Sequence, residues 1–397
     1  MGLRVDKNHL SCFSGLINED KIYAVDTIYG LLMEYDIKNF SHRAVTQITC
    51  MDIRKGIYRI KQTIKAGNKF YFLLENSRDI IMWSQQNQSF QIYGSEHKYD
   101  EQRNVVSNAF LIKNNIWICP GYSNLPLRCF DIITAEIKEY PSVEYQMTKN
   151  GIKIEDIRFL FGAVDKETLW FAVYNTPHIA SYDINHNKWK FYSFNEFGLV
   201  SNICFDGKDL WISFMQNNIF INWNAEEESA EVFKIPTGEL DMSKGDPFNY
   251  IYGFKNYIYV LPTYDNNIYI VNRKTKEVYA TDFFKNYKHT DIRPYIPLFG
   301  ACLKYEKQLI VLPYSIDCVI VIDMETKQIQ YIDSKISQQD KNFYIDYLPK
   351  GHITENNRIL LKDYIYYVNT NSINIIREKE KGACGRAVIR EIKRWKM

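Results

Sequence analysis

The chain has almost no net charge: 49 basic and 47 acidic side chains leave +2 over 397 residues. A surface so balanced has no global field with which to recruit nucleic acid or an anionic membrane. Nor does any run approach the ~20 apolar residues that cross a bilayer as a helix. The first ten residues, Met1 to Leu10, lack the apolar centre of a secretory signal. Asp6 stands where an N-myristoylation motif needs Ser or Thr. No Cys-x-x-Cys pair occurs among the eight cysteines, most of which sit in apolar runs where a thiol behaves as a small hydrophobe. Cys119 and Cys129 flank one hairpin and could face each other, but free thiols and a cytoplasmic location are the expectation. Gly-x-Ser-x-Gly, a phosphate-cradling glycine loop and a Cys/His family motif are also missing, so no nucleophile or cofactor is expected.

What the chain does have is a pair of landmarks repeated eight times. The first is an aromatic or large aliphatic residue inside a short apolar run: Tyr23, Tyr71, Trp117, Trp170, Trp211, Tyr259, Ile310 and Tyr366. The second is a polar residue 12 to 14 positions later that closes another apolar run: Asp36, Ser84, Asp131, Asp183, Asn224, Asn272, Asp323 and Glu378. Successive first landmarks lie 41 to 56 residues apart, with a mean of 49. Short strand-like runs at such a period are the signature of a β-propeller. Tyr and Phe, at 30 and 23 copies, suit strands better than helices.

One unit shows how the repeat becomes a blade. Leu169–Val173 is an apolar run, Asn175-Thr176-Pro177 breaks it, His178–Asp183 is a second run, and a turn then leads to Lys188–Tyr192. This reads as strands b, c and d, with turn residues at the breaks. Small residues upstream, at Gly15, Ala66, Gly162, Gly253 and Gly300, mark a strand a crowded near the axis. Position +3 after the second landmark is Asn39, Asn87, Thr134, Thr275 or Thr326 in five units, which suits a tight side-chain-bonded hairpin. The fold expected is all-β: one closed propeller over residues 1–376, with four-stranded blades and a basic tail at 377–397. Eight units are read, so the ring has seven or eight blades, eight being preferred. The outer strand of the eighth unit comes from Arg386–Ile392, or a segment near Leu3–Leu10 closes the ring on the last blade.

Tyr182-Asp183-Ile184-Asn185-His186-Asn187-Lys188-Trp189 and Phe130-Asp131-Ile132-Ile133-Thr134 resemble kelch-like and YVTN-like propeller repeats. The paired glycines of kelch repeats, the Gly-His and Trp-Asp dipeptides of tryptophan–aspartate repeats and the sialidase-type Asp box are absent. The resemblance implies an architecture and leaves function open, because such folds host scaffolds, lyases, hydrolases and sugar binders alike.

In propellers the b–c loops and d–a connections share one face, around the mouth of the central channel, where a site is expected. Candidate ligand-binding residues on this face are Arg54, Arg78, Tyr122, Asn124, Arg158, Tyr174, Asn175, His178, Tyr264, Asp265, Arg293, Tyr314 and Asp317. Aromatic rings beside amides and carboxylates suit a peptide, a protein surface or a carbohydrate; each type is equally an ordinary hairpin residue. Arg54, Arg158 and Arg293 end three copies of Asp-Ile-Arg, which would gather an anion at the mouth or lock neighbouring blades together. The functional expectation is a non-catalytic binding or scaffold protein without cofactor or metal. The alternative is a metal-assisted lyase or hydrolase at the channel mouth. There His178 and His289, with His352 in reach of the same face, would be the ligands and Asp265 or Asp317 the base. Propeller lyases of the virginiamycin type, which use a His and a metal at this face, keep that alternative open by analogy. The tail carries eight basic and three acidic side chains, with Val388, Ile392 and Trp395 at helical spacing. It reads as a last strand or short helix on the ring, or as a basic amphipathic element for a partner.

Overall fold

The computed structural model describes residues 9–340, apart from 28–29, 49–59, 76, 95–104, 150–157, 237–246, 266, 283–296 and 338–339. Within them lie seven sheets, each of four antiparallel strands in the order a-b-c-d. The blades span residues 15–47, 60–93, 106–140, 158–193, 200–234, 248–282 and 299–333. Seven landmark residues from Tyr23 to Ile310 fall on strand b, and the polar residues from Asp36 to Asp323 end strand c. A short helix, Val143–Lys149, occupies the connection leaving blade 3, its Val143 and Met147 buried.

Burial explains why two apolar runs per unit are visible in the sequence. Strands b and c are covered on both faces by neighbouring blades; Leu210–Phe214 and Ile80–Ser84 are buried at every position. A doubly covered strand reads as a continuous apolar run, not as an alternation. The outer strand d is mostly open, as at Ser89–Tyr93.

Seven apolar clusters fill the seams between blades, one for each adjacent pair. One of them joins Ile22, Leu31 and Met33 of blade 1 to Ile310, Leu312 and Val319 of blade 7. The seam that an eighth blade would have entered is therefore filled, and the ring closes at seven. The eighth unit, around Tyr366 and Glu378, lies outside the described residues, as do Arg386–Ile392 and the basic tail. Of the amino-terminal segment, His9–Cys12 meets the last described blade, while residues 3–8 lie outside the described residues. The Leu10 and Cys12 amides donate to the Ser334 and Pro313 carbonyls at 2.9 and 3.0 Å, and His9 bridges to Lys335. On the far side the Asp340 carboxylate accepts the Ala44 amide of blade 1 at 2.5 Å.

The landmark that closes strand c works through a side-chain-capped turn. In six blades its Oδ1 accepts the amides two and three residues on, at 2.8–3.3 Å. Blade 2 uses the Ser84 hydroxyl for the third-residue amide, at 3.3 Å. The residue four positions on has positive φ, from 48° to 63°, in all seven blades. Such a left-handed residue is costly outside glycine and is held by the bonds around it. The Thr134, Thr275 and Thr326 hydroxyls accept the amide two residues further on at 3.4 Å, which is the role expected of position +3.

Two substitutions test this scaffold. Asn272→Ala should cost about 0.5–1.5 kcal/mol in denaturant unfolding, the usual worth of a lost hydrogen bond. Asn272→Asp should match wild type at pH 7. The turn amides hold the carboxyls of Asp131 and Asp323 below the ordinary aspartate range, so an aspartate here is favoured in its ionised form. Its contribution is present above the unfolded pKa of about 3.9 and is lost as pH falls through the folded pKa. Melts of Asn272→Asp should therefore diverge from wild type only below about pH 4. At ring closure, a Cβ on Gly300 would overlap the Cys12 backbone carbonyl. Gly300→Ala should destabilise by about 1–3 kcal/mol or more, the cost of overpacking against an unyielding backbone.

Candidate functional site

The mouth of the channel is built by backbone before any side chain is considered. In five blades the amide four residues past the b landmark donates to the carbonyl twelve residues before that landmark. The pairs are Thr27 to Ser11 (2.7 Å), Gly121 to Val105 (3.0 Å), Met215 to Leu199 (2.7 Å), Thr263 to Pro247 (3.0 Å) and Tyr314 to Leu298 (3.0 Å). Further bonds cross from blade to blade: Val105 to Glu75 (2.6 Å), Phe159 to Gly121 (3.0 Å), Val200 to Thr176 (2.7 Å) and Leu298 to Thr263 (3.1 Å). These form a collar on the face that carries the b–c loops.

Just inside the collar, strand a slips register against strand b in blades 2 to 7, at Ile60/Gln62, Val106/Asn108, Phe159/Gly162, Val200/Asn202, Phe248/Tyr250 and Phe299/Ala301. A bulge bends the strand and re-aims its side chains. On the axis lies a cavity of about 380 Å³ lined by strand-a residues of all seven blades. Near the mouth its wall is polar, with Ser14, Lys61, Gln62, Asn108, Asn202 and Asn249; further along the strands it is apolar, with Phe110, Phe205, Tyr252 and Leu303.

Several wall groups are spent on the ring. Asn202 donates to the Asn249 carbonyl, and its Oδ1 accepts the Ile203 amide at 2.7 Å. Asn249 donates to the Phe299 carbonyl at 3.3 Å. The Tyr250 and Tyr252 hydroxyls donate to the Gly300 and Cys302 carbonyls at 3.0 and 3.3 Å. Other groups are unspent. Asn108 Oδ1 is buried without a hydrogen-bond partner. Lys61 lies within the channel without a hydrogen bond or ion pair among the described residues; burial pushes its ammonium below the ordinary lysine range, and only Glu75 opposes this through space. Burial pushes the thiol of Cys204 up to about 12 and raises Cys302, Tyr250 and Tyr252 well above their usual values. Among the described lining residues, Lys61 is the one cationic side chain.

The residues expected from sequence are dispersed around this mouth. Tyr314 lines the channel, with its ring 4.5 Å from that of Phe13. Arg158 lies over the Tyr122 ring at 5.5 Å, joining blade 4 to blade 3, with exposed Asn124 two residues along from Tyr122. Arg78 pairs with Glu139 across the seam of blades 2 and 3. The buried Arg128, pushed down to about 10 by burial and by Arg78, donates to the Arg78 carbonyl at 2.5 Å. Tyr174, half-buried, and Asn175, exposed with φ 62°, begin the b–c turn of blade 4. His178 follows on strand c, opposite Ser193, and its burial lowers its pKa. Tyr264 and Asp265 belong to the b–c loop of blade 6, where Asp265 accepts the Tyr269 hydroxyl. Asp317 sits in that of blade 7, its carbonyl accepting the Ser334 amide at 3.3 Å. Arg54, Arg293, His289 and His352 lie outside the described residues. No three His, Cys, Asp or Glu side chains converge as a metal cluster among the described residues.

The strand-a wall residues are not among those that the loop pattern predicts. Their signal was available: the residue nine positions before each b landmark is Ser14, Gln62, Asn108, Phe161, Asn202, Tyr250 or Ala301. Polar side chains at that position interrupt strands that otherwise read as core.

No protein-family model and no curated protein matches the chain. Solved structures share its fold at low identity. YCF48 bound to D1 peptide is 10% identical with a TM-score of 0.55, over 77% of this chain and 90% of that one. YCF48 from Cyanidioschyzon merolae is 9% identical with a TM-score of 0.56, over 79% and 95%. Dihydro-heme d1 dehydrogenase NirN in complex with DHE is 9% identical with a TM-score of 0.51, over 84% and 69%. Identity at this level speaks to the fold, and the fold is the β-propeller already seen.

An unpaired charge on a half-buried side chain in the wall opposes folding, because part of its hydration is lost without a counter-ion. Lys61→Met should leave the ring intact and raise the melting temperature by about 2–4 °C. A fall of similar size would mean that the ammonium has a stabilising partner.

Proposed function

We propose that this protein is a binding module, non-catalytic in itself, that takes an extended peptide or protein segment at the channel mouth. The supporting observation is the unspent polar wall: Lys61, Gln62 and Asn108 sit inside a rigid collar, above an apolar floor. A cavity of about 380 Å³ is too small for a folded domain and suits one or two side chains or a chain end. Rim residues Tyr122, Asn124, Tyr174, Asn175 and Tyr264 supply rings and amides around it, the composition that peptide-recognising surfaces favour. A protein of the same fold, YCF48, is known in complex with D1 peptide, which supports the peptide reading. Among the described residues no helix is long and apolar enough to cross a membrane. The described cysteines are all free thiols, which agrees with the cytoplasmic location proposed for this chain.

Selection of random peptides from a display library on the purified protein tests this reading. Selected peptides should bind Gln62→Trp, which fills the channel, at least about tenfold more weakly than wild type, a difference of ~1.4 kcal/mol. Lys190→Ala, at the outer edge of blade 4, should bind them unchanged, and Gln62→Trp should melt as wild type does. Equal binding to Gln62→Trp, or no enrichment of any peptide, would overturn the reading.

A further inference from the structure

Two wall groups are left unmatched by the fold, and they sit on adjacent blades of one cavity. Lys61 is the bulged residue of strand a in blade 2, Ile60–Ala66; Asn108 lies two residues into strand a of blade 3, Val106–Ile112. Lys61, half-buried on the channel wall, makes no hydrogen bond or ion pair among the described residues, and Asn108 Oδ1 is buried without a hydrogen-bond partner. The other amides on the same wall, Asn202 and Asn249, are consumed by blade-to-blade bonds. Protein interiors rarely leave such groups idle, because each costs the hydration that it gives up.

We infer that the channel mouth is a carboxylate receptor, in which the Lys61 ammonium anchors a carboxylate of the ligand and Asn108 Oδ1 accepts an N–H of that ligand. This rests on the peptide-binding reading and names the group that enters the channel. A carboxylate restores the counter-ion that Lys61 lacks. Glu75 makes no ion pair with Lys61 and acts on it only through space. A peptide offers the two complementary groups a short distance apart, either as the carboxylate and last N–H of a chain end or as an Asp or Glu side chain beside its own amide. A phosphate dianion is matched less well, since sites for it gather several cations or an arginine fork, and Lys61 stands alone among the described lining residues. The apolar floor formed by Phe110, Phe205 and Leu303 would take the ligand's adjoining side chain.

Thermal melts with succinate, neutral succinamide and inorganic phosphate as probes test the anchor. Millimolar succinate should raise the wild-type melting temperature by about 2–4 °C, as expected for a ligand present well above its Kd. Succinamide should not, and Lys61→Met should lose the response. Lys190→Met, whose lysine pairs with Glu228 at the outer edge, should keep it. Identical wild-type melts in succinate and succinamide would overturn the inference, as would a succinate response surviving in Lys61→Met or stabilisation by phosphate alone. Peptides from the selection then distinguish the source. Amidating the C terminus should weaken binding at least tenfold if a chain end is bound; changing Glu to Gln or Asp to Asn should do so if a side chain is. Insensitivity to both changes would overturn the anchor while leaving the peptide reading standing. A Lys61-dependent succinate response without any selected peptide would overturn the peptide reading alone.

Discussion

A four-stranded sheet that is apolar on both faces cannot stand alone, and the rest of this structure follows from that constraint. Strands b and c of each blade carry buried side chains on either side. Stacking such sheets in a row would leave two apolar faces at the ends, and closing the row into a ring leaves none. The seams are filled by aromatic contacts such as Tyr23 against Phe70 at 4.9 Å, Tyr71 against Phe130 at 5.8 Å and Trp117 against Tyr182 at 5.9 Å. Offset and tilted rings pack sheets face to face and contribute beyond their buried area. Stability of the ring is therefore a property of the seams, with each blade depending on both neighbours.

Closing the ring has a geometric cost at the axis. Seven strands a converge there, and small residues or bulges must relieve the crowding. Gly162 and Gly253 leave no ordinary room for a Cβ, and Gly300 faces the Cys12 backbone at the point where the two ends of the ring meet. Bulges turn the next residues toward the axis, so the same device that relieves crowding also lines a cavity with Lys61, Gln62, Asn108 and Asn202. Electrostatic links on the outer side work independently of it. Lys113 with Glu167, Lys190 with Glu228, Arg273 with Asp209 and Lys255 with Glu325 each cross a seam. They are mostly exposed and contribute modestly beside the apolar seams. Arg158, which ends one Asp-Ile-Arg copy, lies over the Tyr122 ring of the neighbouring blade; Arg54 and Arg293 lie outside the described residues.

The amino-acid sequence by itself determined the blade. Apolar runs around Trp170 and Ile179, the polar stop at Asp183 and the turn that follows each state a local rule: burial on two faces, a capped hairpin, a left-handed residue four positions on. Local rules repeat along the chain and can be read from it. What only the tertiary structure decided was where the ring stops and which polar groups remain unspent. Eight units resemble one another, but closure depends on whether Ile22 and Met33 meet Ile310 and Val319, a contact between residues about 300 positions apart that no local pattern records. The unspent wall is not legible in the sequence for the same reason. Asn108 and Asn202 occupy equivalent positions in their units, yet Asn202 is satisfied by the next blade and Asn108 is not. Lys61 differs from an ordinary surface lysine only because the axis encloses it. Hydrogen-bond satisfaction and desolvation are settled between blades, and only the assembled ring sets them.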